Sequence, residues 1–243
     1  MKFYTFGDKK NPVLMLFPGT CCHWKSNFEK VIPLLMDSYR VVCVSYDGFD
    51  ESESTTFISM NQEVEKIEAY IQEQYDGHIL AAYGCSLGGS FVGLLISRKN
   101  IHMDYGILGS SDLDQATPFW ANLETHILLP MMYPMIRSGK IPFQKNAYIC
   151  AFAKMMGGAR PYISKQSCFN QFYSDLVTPL PENIEVHATQ IHIFYALKMG
   201  KKYRKRYLKH FAHPILHEHD LQHEELLACY PGQWVNLVKS ITN

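Results

Sequence analysis

The sequence predicts an α/β protein with a mostly parallel sheet that helices cover on both faces. Short, continuously apolar runs alternate with amphipathic helical segments through the first half of the chain, and the alternation returns near the end. Such runs are typical of parallel strands that are buried on both faces. The chain has 243 residues, of which 47% are hydrophobic and 19% charged. It therefore has enough apolar material for one large domain, and we do not expect disorder.

In the first half, each predicted strand is an apolar run that stops at a turn signal, and each predicted helix repeats its apolar residues with helical spacing. The strands are predicted over residues 12–17, 40–46, 78–83 and 104–109, and the helices over residues 24–36, 61–75 and 89–97. The turn signals after the first two strands are the pairs Pro18-Gly19 and Asp47-Gly48. Right-handed crossovers place the carboxyl ends of such strands along one edge of the sheet, where ligands bind.

The alternation is interrupted by residues 115–186, which are rich in methionine and aromatic residues and look helical. A strand over 191–195, a basic helix over 201–210, a strand over 215–219 and a helix over 224–241 follow. We therefore predict a core of residues 1–114 and 187–243 with residues 115–186 as a helical insertion in the same domain. The basic helix is interpreted as a solvated face.

Charge and composition exclude several classes of protein. Lys+Arg and Asp+Glu are both 23, and this zero net charge argues against a dedicated nucleic-acid binder, which needs a basic excess. The first residues contain no apolar signal-like region, and seven cysteines are expected to be reduced thiols, so we predict a cytoplasmic location. Residues 78–96 are nearly free of charge, but glycines and serines in their middle favour a strand, turn and helix over a membrane span.

The strongest functional signal is Gly84-Cys85-Ser86-Leu87-Gly88, a Gly-x-Ser-x-Gly motif between a predicted strand and a predicted helix. In a tight strand-to-helix turn, side chains two residues before and after the serine would collide with neighbouring backbone, so glycine is required there. The turn exposes the serine hydroxyl above the sheet edge. The helix N-terminus behind it offers N–H groups to a developing oxyanion.

With this motif in this context, the sequence resembles the α/β-hydrolase family over nearly the whole chain. The resemblance implies a serine nucleophile at Ser86, a late histidine, an acid and an oxyanion loop after an early strand. It also implies that the insertion over 115–186 is a cap. Pro18-Gly19-Thr20 matches the oxyanion loop by position, with Pro18 where the family often has histidine. By that match the backbone N–H groups of Thr20 and Leu87 would hold the oxyanion.

The order of residues in the family places the histidine after the last strand. His223 follows the strand by several residues and precedes an apolar-periodic helix, so it is our first candidate for the base, and His219 is the second. A helix N-terminus also disfavours an imidazolium ion. His217, His219, Asp220 and His223 suggest a metal site as well, but their spacing departs from the hydrolytic zinc pattern, so we assign no metal.

The acid is where the sequence departs from the commoner family pattern, because residues 186–217 contain no Asp or Glu. Some lipase-like members take the acid from the strand after the nucleophile. We therefore choose Asp112, with Asp114 next; the alternative interpretation is that these aspartates cap the following helix. Without either, a Ser–His dyad would be expected to show reduced activity.

The expected function is hydrolysis of a small-molecule carboxylic ester through an acyl-enzyme intermediate, without a cofactor. The apolar insertion suggests an acyl or aryl substrate group. Two alternatives stay open: cleavage of an amide, thioester or carbon–carbon bond by the same fold, and a non-catalytic ligand-binding protein of the same fold.

Overall fold

A computed structural model describes residues 1–138, 146–156 and 162–243 of the protein. These residues form one sheet flanked by helices. The strands are β1 Lys2–Phe6, β2 Val13–Phe17, β3 Arg40–Ser45, β4 His78–Gly84, β5 His102–Leu108, β6 Gln190–Ala196 and β7 Ile215–His219. The helices are α1 Trp24–Phe28, α2 Ile32–Leu35, α3 Met60–Tyr75, α4 Leu87–Arg98, α5 Pro118–Ser138, α6 Ala147–Met156, α7 Lys165–Val177, α8 Lys201–His210, α9 Glu225–Cys229 and α10 Pro231–Thr242.

The described strands lie in the order β1-β3-β2-β4-β5-β6-β7. β1 is antiparallel to β3, and every other neighbouring pair is parallel. The predicted fold class is therefore confirmed. Buried apolar side chains form one cluster on each face of the sheet. The continuous apolar runs of the central strands follow from this double burial.

Three details differ from the sequence predictions. β1 was not predicted; it pairs with β3 at the edge of the sheet. The helix predicted over 24–36 is two short helices, and Pro33 lies at the start of the second. Likewise, Pro231 starts α10 and separates it from α9 within the predicted helix 224–241. Proline lacks an N–H to donate to the preceding turn, so it starts a helix more readily than it continues one.

Within residues 115–186 the structure describes three helices, α5, α6 and α7. α5 packs on α7, and α6 packs on α9 and α1. Side chains of α7 also contact loops of the core: Gln171 Oε1 accepts a hydrogen bond from the Cys21 N–H at 2.6 Å, and Ser167 Oγ accepts one from the Phe57 N–H at 3.3 Å. The described part of the insertion is mainly helical. Parts of it, residues 139–145 and 157–161, lie outside the described residues.

All seven cysteines are free thiols. Across residues 1–138, 146–156 and 162–243, no helix combines the length and the apolar character that crossing a bilayer requires.

Candidate active site

Ser86 lies on a strained turn between β4 and α4. Its backbone has φ 51° and ψ −114°, a conformation that side-chain-bearing residues rarely adopt. Two hydrogen bonds close the turn, from the Gly88 N–H to the Cys85 carbonyl and from the Gly89 N–H to the Ser86 carbonyl, both at 2.8 Å. The turn therefore directs the Ser86 side chain away from the strand axis at the carboxyl edge of the sheet.

The glycines of the motif are required by contact with backbone, as the spacing predicts. A Cβ at Gly84 would lie 2.1 Å from the carbonyl carbon of Gly88, and a Cβ at Gly88 would lie 2.3 Å from the carbonyl oxygen of Phe17. Neither neighbour is a flexible side chain that can move aside. The steric argument made from the sequence is confirmed at both positions.

Replacing Gly84 with alanine is accordingly expected to destabilise the protein by about 3 kcal/mol or more, the upper range for overpacked sites. Gly232 in α10 provides a matched control, because a Cβ there meets nothing within 4 Å. Gly232→Ala is expected to leave stability unchanged or to raise it slightly. Urea unfolding of both variants checks this, and equal stabilities would contradict the tight packing at the motif.

The structure brings Ser86 and His223 together. Ser86 Oγ lies 3.1 Å from His223 Nε2, which is within hydrogen-bond distance. His223 lies in the loop between β7 and α9, as the sequence predicts. Two residues of α6 hold this loop: the Tyr148 hydroxyl donates to the His223 carbonyl at 3.0 Å, and the Phe152 ring meets the imidazole edge-on at 6.0 Å.

The predicted oxyanion loop lies beside the serine. The Cys85 N–H donates to the Phe17 carbonyl at 3.0 Å, and a Cβ at Gly19 would lie 3.6 Å from Ser86 Cβ. The Gly19 N–H donates to Asn27 Oδ1 at 2.8 Å, which orients the loop. Leu87 is the first residue of α4, so its N–H has no intrahelical acceptor. This arrangement leaves the Leu87 N–H next to the Ser86 side chain.

The structure does not bring Asp112 to His223. The Asp112 side chain is exposed, and its backbone carbonyl accepts a hydrogen bond from Arg206 Nη1 at 3.2 Å. Asp114 is also exposed and pairs with Arg206 Nη2 at 2.8 Å. Within the described residues, no hydrogen bond joins either carboxylate to the imidazole. The chain leaves the sheet after Leu108, and beyond it the side chains of Asp112 and Asp114 face solvent while Leu113 between them is buried.

A buried carboxylate, Glu224, lies beneath Ser86 and is absent from the site residues predicted from the sequence. Glu224 Oε1 accepts hydrogen bonds from the Ser86 N–H at 2.7 Å and the Ser110 N–H at 2.8 Å, and Oε2 accepts one from the Tyr83 hydroxyl at 3.0 Å. The side chain is only 4% exposed. Glu224, which directly follows His223 in the chain, thus connects the turn at Ser86 with the loop after β5.

The backbone at Glu224 explains how this connection forms. Glu224 adopts a left-handed conformation with φ 54° and ψ 14° and caps α9. The Glu224 N–H donates to Ser110 Oγ at 3.3 Å, so both the backbone and the side chain of Glu224 bond to Ser110. Two other buried ionisable groups, the Cys85 thiol and the Tyr83 hydroxyl, lie near the Glu224 carboxylate. It contributes, after burial, to raising the pKa of the Cys85 thiol and of the Tyr83 hydroxyl well above their usual values.

His219, the second candidate for the base, lies within β7, and its Nε2 is buried with no hydrogen-bond partner in the described structure. His217 Nε2 instead forms a hydrogen bond with Nδ1 of His192 on the neighbouring strand, at 2.9 Å. Asp220 is exposed, 3.9 Å from Lys198 Nζ. The described residues therefore do not gather His217, His219 and Asp220 into a common ligand set.

The buried His192 makes stability depend on pH. Burial, together with the neighbouring His217, lowers the pKa of His192 to about 4, from about 6.5 in an unfolded chain. Between these pH values the unfolded state binds more protons than the folded state. The free energy of unfolding should therefore fall as the pH drops from 6.5 to 4, by at most about 3 kcal/mol from this residue. Urea unfolding across that range should show a smaller fall for His192→Gln; parallel curves would contradict the assignment.

Comparisons with known proteins agree with this architecture. A sequence profile described as the α/β hydrolase fold matches residues 12–148, just over half of the chain. No curated protein gives a significant sequence match. Among solved structures, a protein assigned to the α/β hydrolase family from Desulfitobacterium hafniense superposes with a TM-score of 0.83 at 17% identity, covering 100% of both chains.

Two further structures are similar over almost their whole length. A hydrolase from Pseudomonas aeruginosa has a TM-score of 0.76 at 13% identity, covering 98% of this chain and 92% of its own. The enol-lactonase from Burkholderia xenovorans has a TM-score of 0.74 at 13% identity, covering 98% and 95%. At such low identity the superpositions show the shared fold alone. The profile match, together with the sheet order and the serine turn, shows that the chain belongs to the α/β hydrolase fold family.

Proposed function

We propose that this protein is a serine hydrolase that cleaves a small-molecule carboxylic ester through an acyl-enzyme intermediate. The observation that carries the proposal is the 3.1 Å separation of Ser86 Oγ and His223 Nε2 at a turn whose backbone exposes the serine. A nucleophile and a base within hydrogen-bond distance are the minimum arrangement for acyl transfer. The enol-lactonase among the similar folds, whose name describes cleavage of a cyclic ester, supports the same class of reaction.

In the proposed reaction, His223 Nε2 takes the proton of Ser86 Oγ as the oxygen attacks the ester carbonyl. The tetrahedral oxyanion accepts hydrogen bonds from the backbone N–H groups of Thr20 and Leu87, each contributing about 3 kcal/mol in comparable sites. His223 then protonates the leaving alcohol. Water, deprotonated by the same imidazole, hydrolyses the acyl-enzyme and releases the acid. The cycle uses these groups and water alone, without a cofactor.

The side chains around the histidine favour an apolar acyl or aryl group. Phe152 packs edge-on against the imidazole, and the Cys22 Sγ lies 3.8 Å from Met156 Sδ between the oxyanion loop and α6. Methionine and phenylalanine form adaptable apolar surfaces. We therefore propose an uncharged acyl portion for the substrate.

A series of p-nitrophenyl esters with two to eight acyl carbons tests the proposal, with matched anilides and thioesters alongside. We expect the esters to show a burst of p-nitrophenol equal to the enzyme concentration, followed by slower turnover. Faster cleavage of anilides or thioesters than of esters would show that the substrate is an amide or a thioester instead. No turnover of any substrate by the folded protein would favour a non-catalytic ligand-binding protein. That alternative rests on the absence of a carboxylate hydrogen-bonded to His223 among the described residues.

A further inference from the structure

A second cluster of chemistry-bearing side chains lies at the opposite edge of the sheet from Ser86. His78 is the first residue of β4, and it pairs in register with His102, the first residue of β5. Asp104 is two residues further along β5, so it lies on the same face as His102. Ser86 follows His78 by eight positions, a distance of roughly 25 Å along an extended strand. The cluster therefore takes no part in the chemistry proposed for Ser86.

The three side chains converge on one point. The Nε2 atoms of His78 and His102 each lie 3.0 Å from the same oxygen of Asp104, Oδ1. All three atoms lie within 4.8 Å of one another. The two rings stack, with centroids 5.1 Å apart and an angle of 30° between their planes. Cross-strand pairing thus orients two imidazole nitrogens and a carboxylate oxygen without help from loops.

This geometry is close to that of a metal centre. Two imidazoles and a carboxylate form a donor set that suits zinc and neighbouring divalent transition metals. Tetrahedral zinc with bonds of about 2.0 Å holds its ligand atoms roughly 3.3 Å apart, a little more than the 3.0 Å separations seen here. The side chains are 37–54% exposed, so an ion can enter and water can complete its coordination.

We propose that His78, His102 and Asp104 form a surface binding site for a divalent transition-metal ion, with Zn²⁺ as the representative ion. In the metal-bound form each neutral ring carries its single proton on Nδ1 and presents the Nε2 lone pair to the ion, and any proton lost from a charged ring goes to solvent. The ion crosslinks the amino ends of β4 and β5. The sequence pattern does not reveal this site, because His78 and His102 are far apart in the chain and only strand pairing brings them together.

Isothermal titration of the tag-free, chelator-treated protein with Zn²⁺ at pH 7.5 tests the site. We expect a binding event of unit stoichiometry and a higher Tm in the presence of Zn²⁺. His78→Ala and His102→Ala should each weaken that binding at least about tenfold, the lower end of the loss that even outer-shell changes cause. Because all three side chains are partly exposed, these variants should fold, and their Tm without metal checks this.

Two further variants separate the metal from ordinary hydrogen bonding. Asp104→Asn keeps an oxygen that accepts from the rings but is a weaker ligand, so it should lower Zn²⁺ affinity while leaving the metal-free Tm nearly unchanged. His187→Ala removes an exposed histidine elsewhere and should leave binding intact. Zn²⁺ binding that survives in His78→Ala and His102→Ala, or is lost in His187→Ala, would overturn the assignment, as would a wild type that does not bind.

Discussion

Replacing Ser86 with alanine is expected to lower kcat for ester hydrolysis by about 10⁴- to 10⁶-fold, as nucleophile removal does in other serine hydrolases. Alanine has no oxygen to attack the carbonyl, whereas the oxyanion donors and the binding surface stay in place. Serine already carries a Cβ in the strained backbone conformation at residue 86, and alanine adds no further atoms there. The variant should therefore fold normally. Steady-state kinetics with a p-nitrophenyl ester, together with a Tm measurement, check both parts.

His223→Ala should cause a loss of similar size, because the two groups act as a unit, and the double variant should be little worse than either single one. His219→Ala is the matched control: this histidine lies in β7, two residues after His217, and makes no hydrogen bond to Ser86 among the described contacts. It should retain kcat to within a few-fold. Full activity in His223→Ala with a large loss in His219→Ala would show that the base is misassigned.

Replacing Glu224 with alanine is expected to have the largest effect on stability, about 3–5 kcal/mol of the free energy of unfolding. The change leaves the N–H groups of Ser86 and Ser110 and the hydroxyl of Tyr83 without their acceptor in a buried space. Each unsatisfied buried group costs about 1–3 kcal/mol. The serine turn loses its support from below, so kcat should also fall in the fraction that folds. Urea unfolding and kinetics on the same preparation measure both effects.

Glu224→Gln separates the role of the oxygen from the role of the charge. The amide oxygen can still accept from both backbone N–H groups, and the Tyr83 hydroxyl can rotate to accept from the amide nitrogen. We expect this variant to lose only about 1 kcal/mol of stability. If glutamine destabilised the protein as much as alanine, the negative charge itself would be required, and the hydrogen-bond account would be incomplete.

Much of the fold was predictable because the strands are buried on both faces. Continuous apolar runs located the central strands to within a residue or two; the strand predicted over 40–46 is observed as Arg40–Ser45. The edge strand Lys2–Phe6 was missed because its residues are half-buried or exposed and its sequence lacks such a run. The breaks between helices before Ile32 and Pro231 were missed because the apolar spacing continues across each break. Pro33 and Pro231 were the sequence signals for these breaks.

The candidate site was predictable where the chemistry imposes a local motif. The glycines around Ser86 follow from steric exclusion, and the place of His223 follows from the order of elements. The acid could not be derived in this way, because a carboxylate can approach a histidine from several loops, and the side chain of Asp112 turns outward. Glu224 escaped notice because its contacts depend on a left-handed backbone that directs the side chain beneath the serine. Its position next to His223 was the one available signal.

The most direct test of the central claim is covalent labelling with a fluorophosphonate, followed by intact-mass measurement and peptide mapping. The probe reacts with a serine oxygen only where a neighbouring base removes its proton and donors stabilise the phosphoryl oxygen. We predict one adduct per chain, located on Ser86, absent from Ser86→Ala and strongly slowed in His223→Ala. A folded wild-type protein that takes up no probe, or carries it on another residue, would contradict the account.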